Sequence, residues 1–176
     1  MPQAGGHRAV FLVGFMGAGK TSVGRSLARR LGWSFEDLDD RIESRVGRSL
    51  AEIFRDSGEA EFRRLEHATL RELLAELNAG HRVVALGGGA FAQPENVALL
   101  ESAGVHVIFL DGPVEELLRR CEQELRERPL LRDAKQFREL YEQRRSSYLK
   151  ASRRIDTTGK SVDLVAAEVA CSIESE

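Results

Sequence analysis

The chain has 176 residues and a formal net charge of −2, because 26 Lys and Arg oppose 28 Asp and Glu. This length suits one domain over residues 1–176, and 42% hydrophobic residues can form one core, which argues against intrinsic disorder. The slightly acidic balance argues against nucleic acid as a partner. No apolar run reaches the roughly 18 residues of a membrane helix, and residues 1–8 lack a signal-peptide core. We therefore expect a cytoplasmic protein with no membrane partner.

The predicted elements alternate between strand and helix. Residues 8–13 form a short apolar run that indicates a buried strand. A helical pattern follows the next glycine-rich loop and extends to Gly32, which suits the end of a helix. A second short strand is predicted over 33–37, and the residues from Arg41 open the next helix.

A capping box marks the start of the following helix, because Glu52 comes three residues after Ser49. We expect Gly58 to end this helix, and the leucine spacing over 70–77 indicates a separate, longer one. The remaining apolar runs predict strands over 82–86, 105–110 and 154–157. Strands that alternate with helices in this way predict a parallel sheet of the α/β class.

The glycine-rich loop at 14–21 fits the phosphate-binding pattern of a glycine, four residues and Gly-Lys-Thr. Its backbone N–H groups can point at phosphate oxygens near the start of a helix. Lys20 supplies a positive charge for the β- and γ-phosphates, and Thr21 supplies a hydroxyl for Mg²⁺. The predicted ATP-binding residues in this segment are Gly14, Gly17, Ala18, Gly19, Lys20, Thr21 and Ser22.

Two carboxylates, Asp37 and Asp39, alternate at the end of the second predicted strand, where open α/β sheets bind their ligands. One of them can hold a water molecule on the metal, while the other takes a proton from an acceptor hydroxyl. The alternative is that Asp39 and Asp40 only cap the helix that follows. Asp111 is a competing metal-associated acid, but its Asp-Gly-Pro context favours an ordinary turn and helix start.

Further candidate binding groups are a glycine triplet and two arginines. The triplet Gly87-Gly88-Gly89 follows an apolar strand, so its backbone can approach an anionic substrate closely. A flexible turn is the alternative interpretation. Arg63 and Arg144 have the side chain that is suited to bidentate capture of a carboxylate, although each is one arginine among many.

The densest charge run extends over 119–133 and mixes both signs, which indicates a solvated, mobile segment rather than a binding tail. Within it, Arg128 precedes Pro129, and its side chain can swing toward a transferring phosphoryl group and exclude water. From spacing alone, this role for Arg128 is a hypothesis.

Five motifs, taken together and in this order, resemble the shikimate kinase family over nearly the whole chain. They are the phosphate loop 14–21, the paired-aspartate segment 35–43, the helix 58–66, the glycine triplet 87–89 and the Arg-Pro-Leu-Leu segment 128–131. The resemblance implies a three-layer α/β/α P-loop kinase with a five-stranded parallel sheet. It also implies a substrate-binding helical region at about 39–67 and a mobile lid at about 121–133.

The resemblance further implies transfer of the γ-phosphoryl group of ATP to the 3-hydroxyl of shikimate, a step of chorismate and aromatic amino-acid biosynthesis. Asp39 would be the base, and Asp37 would lie near Mg²⁺ through water. Lys20 and Arg128 would stabilise the transferring phosphoryl group, and Arg120 would pack against adenine. Arg63, Arg144 and the backbone of Gly88 and Gly89 would hold the shikimate carboxylate. The full set of implied substrate-binding residues is Asp39, Arg63, Gly87, Gly88, Gly89 and Arg144.

Two alternative functions stay open at this point. A kinase of another small polyol acid, such as gluconate, shares a similar scaffold, and only the resemblance argues against it. A nucleotide-dependent switch would hold ATP or GTP without a small acceptor, although the chain has no Asn-Lys-x-Asp sequence to read guanine. The expected partners are ATP and shikimate, with Mg²⁺ as cofactor. The even charge and the lack of a long apolar heptad pattern favour a monomer.

Overall fold

The structure is a computed structural model, and it describes residues 9–123 and 133–175. Within these residues, five strands form one sheet in which every neighbouring pair is parallel. The strands are β1 (Ala9–Val13), β2 (Ser34–Asp37), β3 (Arg82–Ala85), β4 (His106–Asp111) and β5 (Arg153–Asp156). Their order across the sheet is β2–β3–β1–β4–β5. The prediction of a five-stranded parallel sheet is confirmed.

Helices connect and flank the strands. In the described residues they are α1 (Lys20–Leu31), α2 (Leu38–Val46), α3 (Leu50–Ala75), α4 (Pro94–Ala103), α5 (Val114–Gln123), α6 (Ala134–Tyr148) and α7 (Val162–Glu174). Short 3₁₀ turns lie at Leu77–Ala79 and Ala90–Ala92. α1 packs against α7, α3 packs against α2 and α4, and α5 packs against α6. None of the helices in ranges 9–123 and 133–175 is both long and apolar enough to cross a bilayer.

The central strand β1 is buried on both of its faces. All five of its residues are buried, although successive side chains of a strand point to opposite faces of the sheet. The core is therefore continuous above and below the central strands, as a three-layer α/β/α fold requires. The edge strands β2 and β5 keep partly exposed side chains along their length, because each has only one neighbouring strand.

The carboxyl ends of β1, β2 and β3 meet at one edge of the sheet. The register pairs Asp37 of β2 with Ala85 of β3, and Ala85 with Leu12 of β1. The segments that follow β1 and β3, beginning near Gly14 and Gly87, therefore start beside Asp37. This edge is where parallel α/β sheets bind their ligands.

α2 starts three residues earlier than predicted, at Leu38 rather than Arg41. The carboxylate of Asp37 accepts a 2.9 Å hydrogen bond from the backbone N–H of Asp39 and so caps the helix. Asp39 and Asp40 lie in the first turn, where the helix dipole favours acidic side chains. The alternative in which Asp39 and Asp40 form the cap is therefore wrong, because Asp37 has that role.

The helix that begins at Leu50 is interrupted at Gly58, where the sequence predicts its end. α3 has 26 residues, and the backbone of Gly58 departs from helical geometry at φ 82° and ψ 173°, which produces a kink. α3 therefore consists of two consecutive helical segments that meet at Gly58, which confirms the predicted helix end. Apolar residues of both segments, such as Ile53 and Phe62, are buried in the same core. The predicted capping box is present at the start of α3.

Candidate active site

The loop between β1 and α1 curves around the side chain of Lys20. Gly17 and Gly19 have φ angles of 81° and 87°, a region in which residues with a β-carbon are strained. The tight turn allows Lys20 Nζ to donate hydrogen bonds to the carbonyl oxygens of Gly14 at 2.8 Å and Phe15 at 3.1 Å. The ammonium group of Lys20 is therefore held against the backbone of the predicted phosphate loop.

α5 packs directly against this loop. A β-carbon at Gly17 would lie 2.7 Å from the carbonyl oxygen of Leu117, so the close approach depends on glycine. Arg120 donates from Nη1 to the carbonyl oxygen of Gly17 at 3.1 Å and also pairs with Glu116. Arg120 is thus anchored beside the phosphate loop, and its contact with adenine stays a prediction.

Thr21 and Asp37 are joined by a 2.9 Å hydrogen bond from the threonine hydroxyl to Oδ2 of the aspartate. The other carboxylate oxygen of Asp37 accepts the N–H of Asp39. Hydroxyl and carboxylate oxygens are hard ligands of the kind that Mg²⁺ prefers, so the two residues predicted to face the metal lie together. Of the remaining predicted loop residues, Ala18 is buried and Ser22 is exposed on α1.

Asp39 carries a carboxyl group in an unfavourable place for a charge. Its Oδ1 is buried and has no hydrogen-bond partner among the described residues. Burial raises the pKa of Asp39 to about 7, repulsion by Asp37 and Glu66 adds to the increase, and the positive charge of Lys20 opposes it. A carboxyl group with a pKa near 7 is partly ionised at neutral pH, which suits a general base.

The glycine triplet lies directly against two of the predicted side chains. A β-carbon at Gly87 would be 2.7 Å from Oδ1 of Asp39, and one at Gly89 would be 2.4 Å from Nη2 of Arg63. A side chain at either position would therefore have to displace the end of the Asp39 or Arg63 side chain. The interpretation of the triplet as a flexible turn is therefore not supported, because two functional side chains pack on its backbone.

Arg63 is held in place by a buried carboxylate. Its Nη1 donates to both oxygens of Glu66, at 3.0 and 3.1 Å, and Glu66 is 0% exposed. Burial raises the pKa of Glu66, while the charge of Arg63 lowers it. Glu66 is not among the site residues predicted from the sequence. Its spacing of three residues from Arg63 is a signal, but the surface pair Glu61 and Arg64 has the same spacing.

Arg144 is buried on α6 and faces the same triplet. Its Nη1 would lie 3.4 Å from a β-carbon at Gly88, and its guanidinium lies over the ring of Phe15, 5.9 Å from the ring centroid. Burial lowers the pKa of Arg144. The ion pairs found in the described part of the chain involve Arg63 and Arg145 but not Arg144. A buried guanidinium of this kind is suited to bind an anionic ligand.

Asp111 does not belong to this cluster. Its carboxylate pairs with Arg145 at 2.9 Å and Arg154 at 2.8 Å, and it ends β4 just before α5 begins at Val114. The preferred interpretation of Asp111 as part of a turn and helix start agrees with this geometry. Its carboxylate is occupied by the two arginines, whereas the hydroxyl of Thr21 bonds Asp37.

The fold thus brings most of the predicted site residues to one edge of the sheet. They are the loop glycines, Lys20, Thr21, Asp37, Asp39, Arg63, Gly87, Gly88, Gly89 and Arg144. Arg128 and residues 124–132 of the predicted lid lie outside the described residues.

Comparison with known proteins gives one consistent result. A sequence profile described as shikimate kinase matches residues 16–174 of this chain. The shikimate kinase of Geobacter metallireducens is 47% identical over 165 residues, which are 92% of this chain and 89% of that protein. The shikimate kinase of Persephonella marina is 43% identical over 155 residues, which are 88% of this chain and 92% of that protein.

The solved structures agree with the sequence comparison. Shikimate kinase from Acinetobacter baumannii, in complex with shikimate, matches this fold with a TM-score of 0.88 and 36% sequence identity. The match covers 96% of this chain and 93% of that one. Sequence and fold are therefore similar to the same group of enzymes over nearly their whole length.

Proposed function

The chain belongs to the shikimate kinase family and phosphorylates the 3-hydroxyl of shikimate with ATP, and we propose that the residues described above carry out this transfer. The observation that carries the proposal is the position of Asp39. Its buried carboxyl group, with a pKa of about 7, lies against Gly87 and near Lys20. A base is thus available between the nucleotide loop and the glycine triplet.

Asp39 is the proposed general base. Its carboxylate accepts the proton of the 3-hydroxyl as the hydroxyl oxygen bonds to the γ-phosphorus of ATP. The bond from the γ-phosphorus to the bridging oxygen breaks at the same time, so ADP leaves and shikimate 3-phosphate forms. The proton is left on Asp39 and is returned to solvent after the products leave.

Two arginines and the triplet form the proposed site for the shikimate carboxylate. Arg63 and Arg144 both face the triplet, where Gly88 and Gly89 lie, and Gly87 supports the base. The contact of Arg63 with Glu66 fixes the direction of one guanidinium. Two fixed positive groups beside one carboxylate set the distance between substrate and phosphate loop, which favours the reactive geometry.

The phosphate loop is proposed to bind the triphosphate. Backbone N–H groups and the amino terminus of α1 favour phosphate oxygens, and Lys20 exchanges its two carbonyl oxygens for the β- and γ-phosphates. Thr21 and Asp37 are the proposed Mg²⁺ residues, the aspartate through water. When bound, Mg²⁺ neutralises phosphate charge. Within the described residues, no group of three or more His, Cys, Asp or Glu is arranged to hold a metal ion. We propose that phosphate oxygens complete the ligand set of Mg²⁺.

The other parts of the site follow from the family pattern. We assign the substrate-binding region to about 39–67 and the lid to about 121–133, with Arg128 facing the transferring phosphoryl group and Arg120 near adenine. We also propose that the protein acts as a monomer in the cytoplasm. The support is that the clustered groups all come from one chain, and that ATP is a cytoplasmic metabolite.

The test is ADP release by purified protein with Mg²⁺ and ATP, in the presence of shikimate, of gluconate and of neither. We expect release that depends on shikimate, with a product of shikimate 3-phosphate mass and a phosphorus-to-proton NMR coupling at position 3. Turnover with gluconate instead would overturn the substrate, and equal slow hydrolysis in all three would indicate a nucleotide-binding module.

A further inference from the structure

Tyr148 lies behind the proposed carboxylate site. It is the last residue of α6, one helical turn after Arg144, and it is 1% exposed. Its ring packs against Phe109 of β4, with ring centroids 5.2 Å apart. The ring is therefore fixed by the core, and its hydroxyl is fixed with it.

The phenol hydroxyl joins two parts of the site. It donates a hydrogen bond to the carbonyl oxygen of Gly88. The positive charge of Arg144 also interacts favourably with the phenol oxygen of Tyr148, and the guanidinium lies against Gly88. Burial raises the pKa of Tyr148, which keeps the phenol protonated over the range in which the enzyme works.

Arg144 has different neighbours from Arg63. Arg63 has the buried carboxylate of Glu66 to orient it. No ion pair of Arg144 with a carboxylate is found in the described residues; its guanidinium lies against Gly88 and over the ring of Phe15, and it interacts electrostatically with Tyr148. A flexible side chain without such a contact would spread over several rotamers.

We propose that Tyr148 is a positioning residue for substrate recognition, which holds Arg144 and the Gly88 backbone in register so that both meet the shikimate carboxylate. The inference rests on the proposed function, since it assigns a role within the same site. Tyr148 acts through its neighbours. Loss of its hydroxyl should therefore weaken binding of the carboxylate while the transfer step, which uses Asp39 and Lys20, continues.

The test compares Tyr148→Phe with Tyr141→Phe. Tyr141 is the matched control, because it lies on the same helix, is buried, and donates its hydroxyl to the carbonyl oxygen of Gly112, away from the triplet. For Tyr148→Phe we expect the KM for shikimate to rise roughly tenfold, with kcat and the KM for ATP within about twofold of the unsubstituted enzyme. Tyr141→Phe should leave the KM for shikimate within about twofold.

A second substrate separates positioning from general damage. With a shikimate analogue that carries a carboxamide in place of the carboxylate, the tenfold penalty of Tyr148→Phe should largely disappear. A penalty of equal size with both substrates, or no change in the KM for shikimate, would overturn the inference. Absence of shikimate-dependent turnover in the unsubstituted enzyme would instead overturn the proposed function.

A third measurement does not depend on the folding of Tyr148→Phe. The chain contains only two tyrosines. Labelling Tyr141→Phe with tyrosine that carries carbon-13 at Cζ therefore gives one NMR resonance, from Tyr148. We expect shikimate to shift this resonance, because a carboxylate bound beside Arg144 and Gly88 changes the electrostatic field at the phenol. A resonance that shikimate leaves unchanged at saturation would contradict the inference.

Discussion

The carboxylate of Asp39 rests on the backbone of Gly87 so closely that a β-carbon there would come within 2.7 Å of Oδ1. Gly89 has the same relationship to Arg63, at 2.4 Å from Nη2. Neither glycine has a positive φ angle, so space rather than backbone conformation requires them. The side chains of Asp39 and Arg63 therefore both pack directly on the backbone of the triplet.

Substitutions at the two glycines should have different kinetic effects. Gly87→Ala pushes the base away from the hydroxyl, and we expect kcat to fall by about 100-fold, because small displacements of reacting groups are costly. Gly89→Ala displaces the guanidinium of Arg63, and we expect the KM for shikimate to rise roughly tenfold with a smaller effect on kcat. Steady-state kinetics of both variants check this, and each is the control for the other. The same loss of kcat in both would contradict it.

Removal of the base should slow turnover without loss of nucleotide binding. For Asp39→Asn we expect kcat to fall by about 10²- to 10⁴-fold, the range for a general base, and the Kd for ATP to stay within about threefold. Asp40→Asn is the matched control, since Asp40 is the exposed neighbour in the same helical turn. Unchanged turnover in Asp39→Asn would remove the residue from the role of base.

The rate should depend on pH through Asp39. Its pKa of about 7 in the free enzyme means that the base is increasingly protonated below neutrality. We expect kcat/KM for shikimate to fall about tenfold per pH unit below pH 7 and to level off above it. A profile that stays flat down to pH 5 would mean that no group with this pKa acts as base.

The same carboxyl group should lower the stability of the folded protein at alkaline pH. The pKa of Asp39 is about 7 in the folded protein and 3.8 in the unfolded chain, where these neighbours are absent. Between these two pH values the folded state therefore binds a proton that the unfolded state has lost. The free energy of unfolding therefore decreases as pH rises from about 4 to 7. We expect Asp39→Asn to be more stable by roughly 1–4 kcal/mol at pH 8, with a gain that shrinks toward pH 4. Denaturant unfolding at several pH values measures it. A gain that does not vary with pH would contradict the assignment.

Glu66 should affect both substrate binding and the pH profile. Glu66→Gln removes the charge that orients Arg63, and it also removes one source of repulsion on Asp39. We expect a higher KM for shikimate and an acid limb of kcat/KM that moves to lower pH. Glu61→Gln is the control, because it breaks a similar pair with Arg64 at the surface. An unmoved acid limb would contradict the coupling.

Much of this site could be predicted because its signals are local. The phosphate loop is a continuous segment with Lys20 and Thr21 at fixed positions, and Asp37 and Asp39 follow a strand directly. The different roles of the two aspartates are harder to predict, because the sequence pattern indicates that α2 starts at Arg41, after both of them. Only the structure shows that Asp37 caps the helix and that Asp39 is thereby turned toward the triplet.

The rest could not be derived from spacing, for physical reasons. Glu66 resembles any surface glutamate on a charged helix, and its burial depends on which side of α3 meets the core. Arg144 is predicted only through the family resemblance, because a single arginine has no local pattern. Tyr148, a neighbour of Arg144, has the sequence pattern of an ordinary core aromatic residue. Only the structure shows that its hydroxyl donates a hydrogen bond to the carbonyl oxygen of Gly88. The helix end at Gly58 could be predicted, but no local pattern shows that the next helical segment follows it directly, without a loop.

The ammonium group of Lys20 donates at least two hydrogen bonds, to the carbonyl oxygens of Gly14 and Phe15. An anion that binds to Lys20 therefore replaces hydrogen bonds that the ammonium group already makes within its own loop. Its electrostatic attraction to the ammonium group has to exceed that of the neutral carbonyl oxygens. A triphosphate with several negative charges can do so, whereas a weakly charged anion gains little from the exchange. The loop therefore favours binding of a multiply charged anion such as ATP over smaller anions that carry less charge.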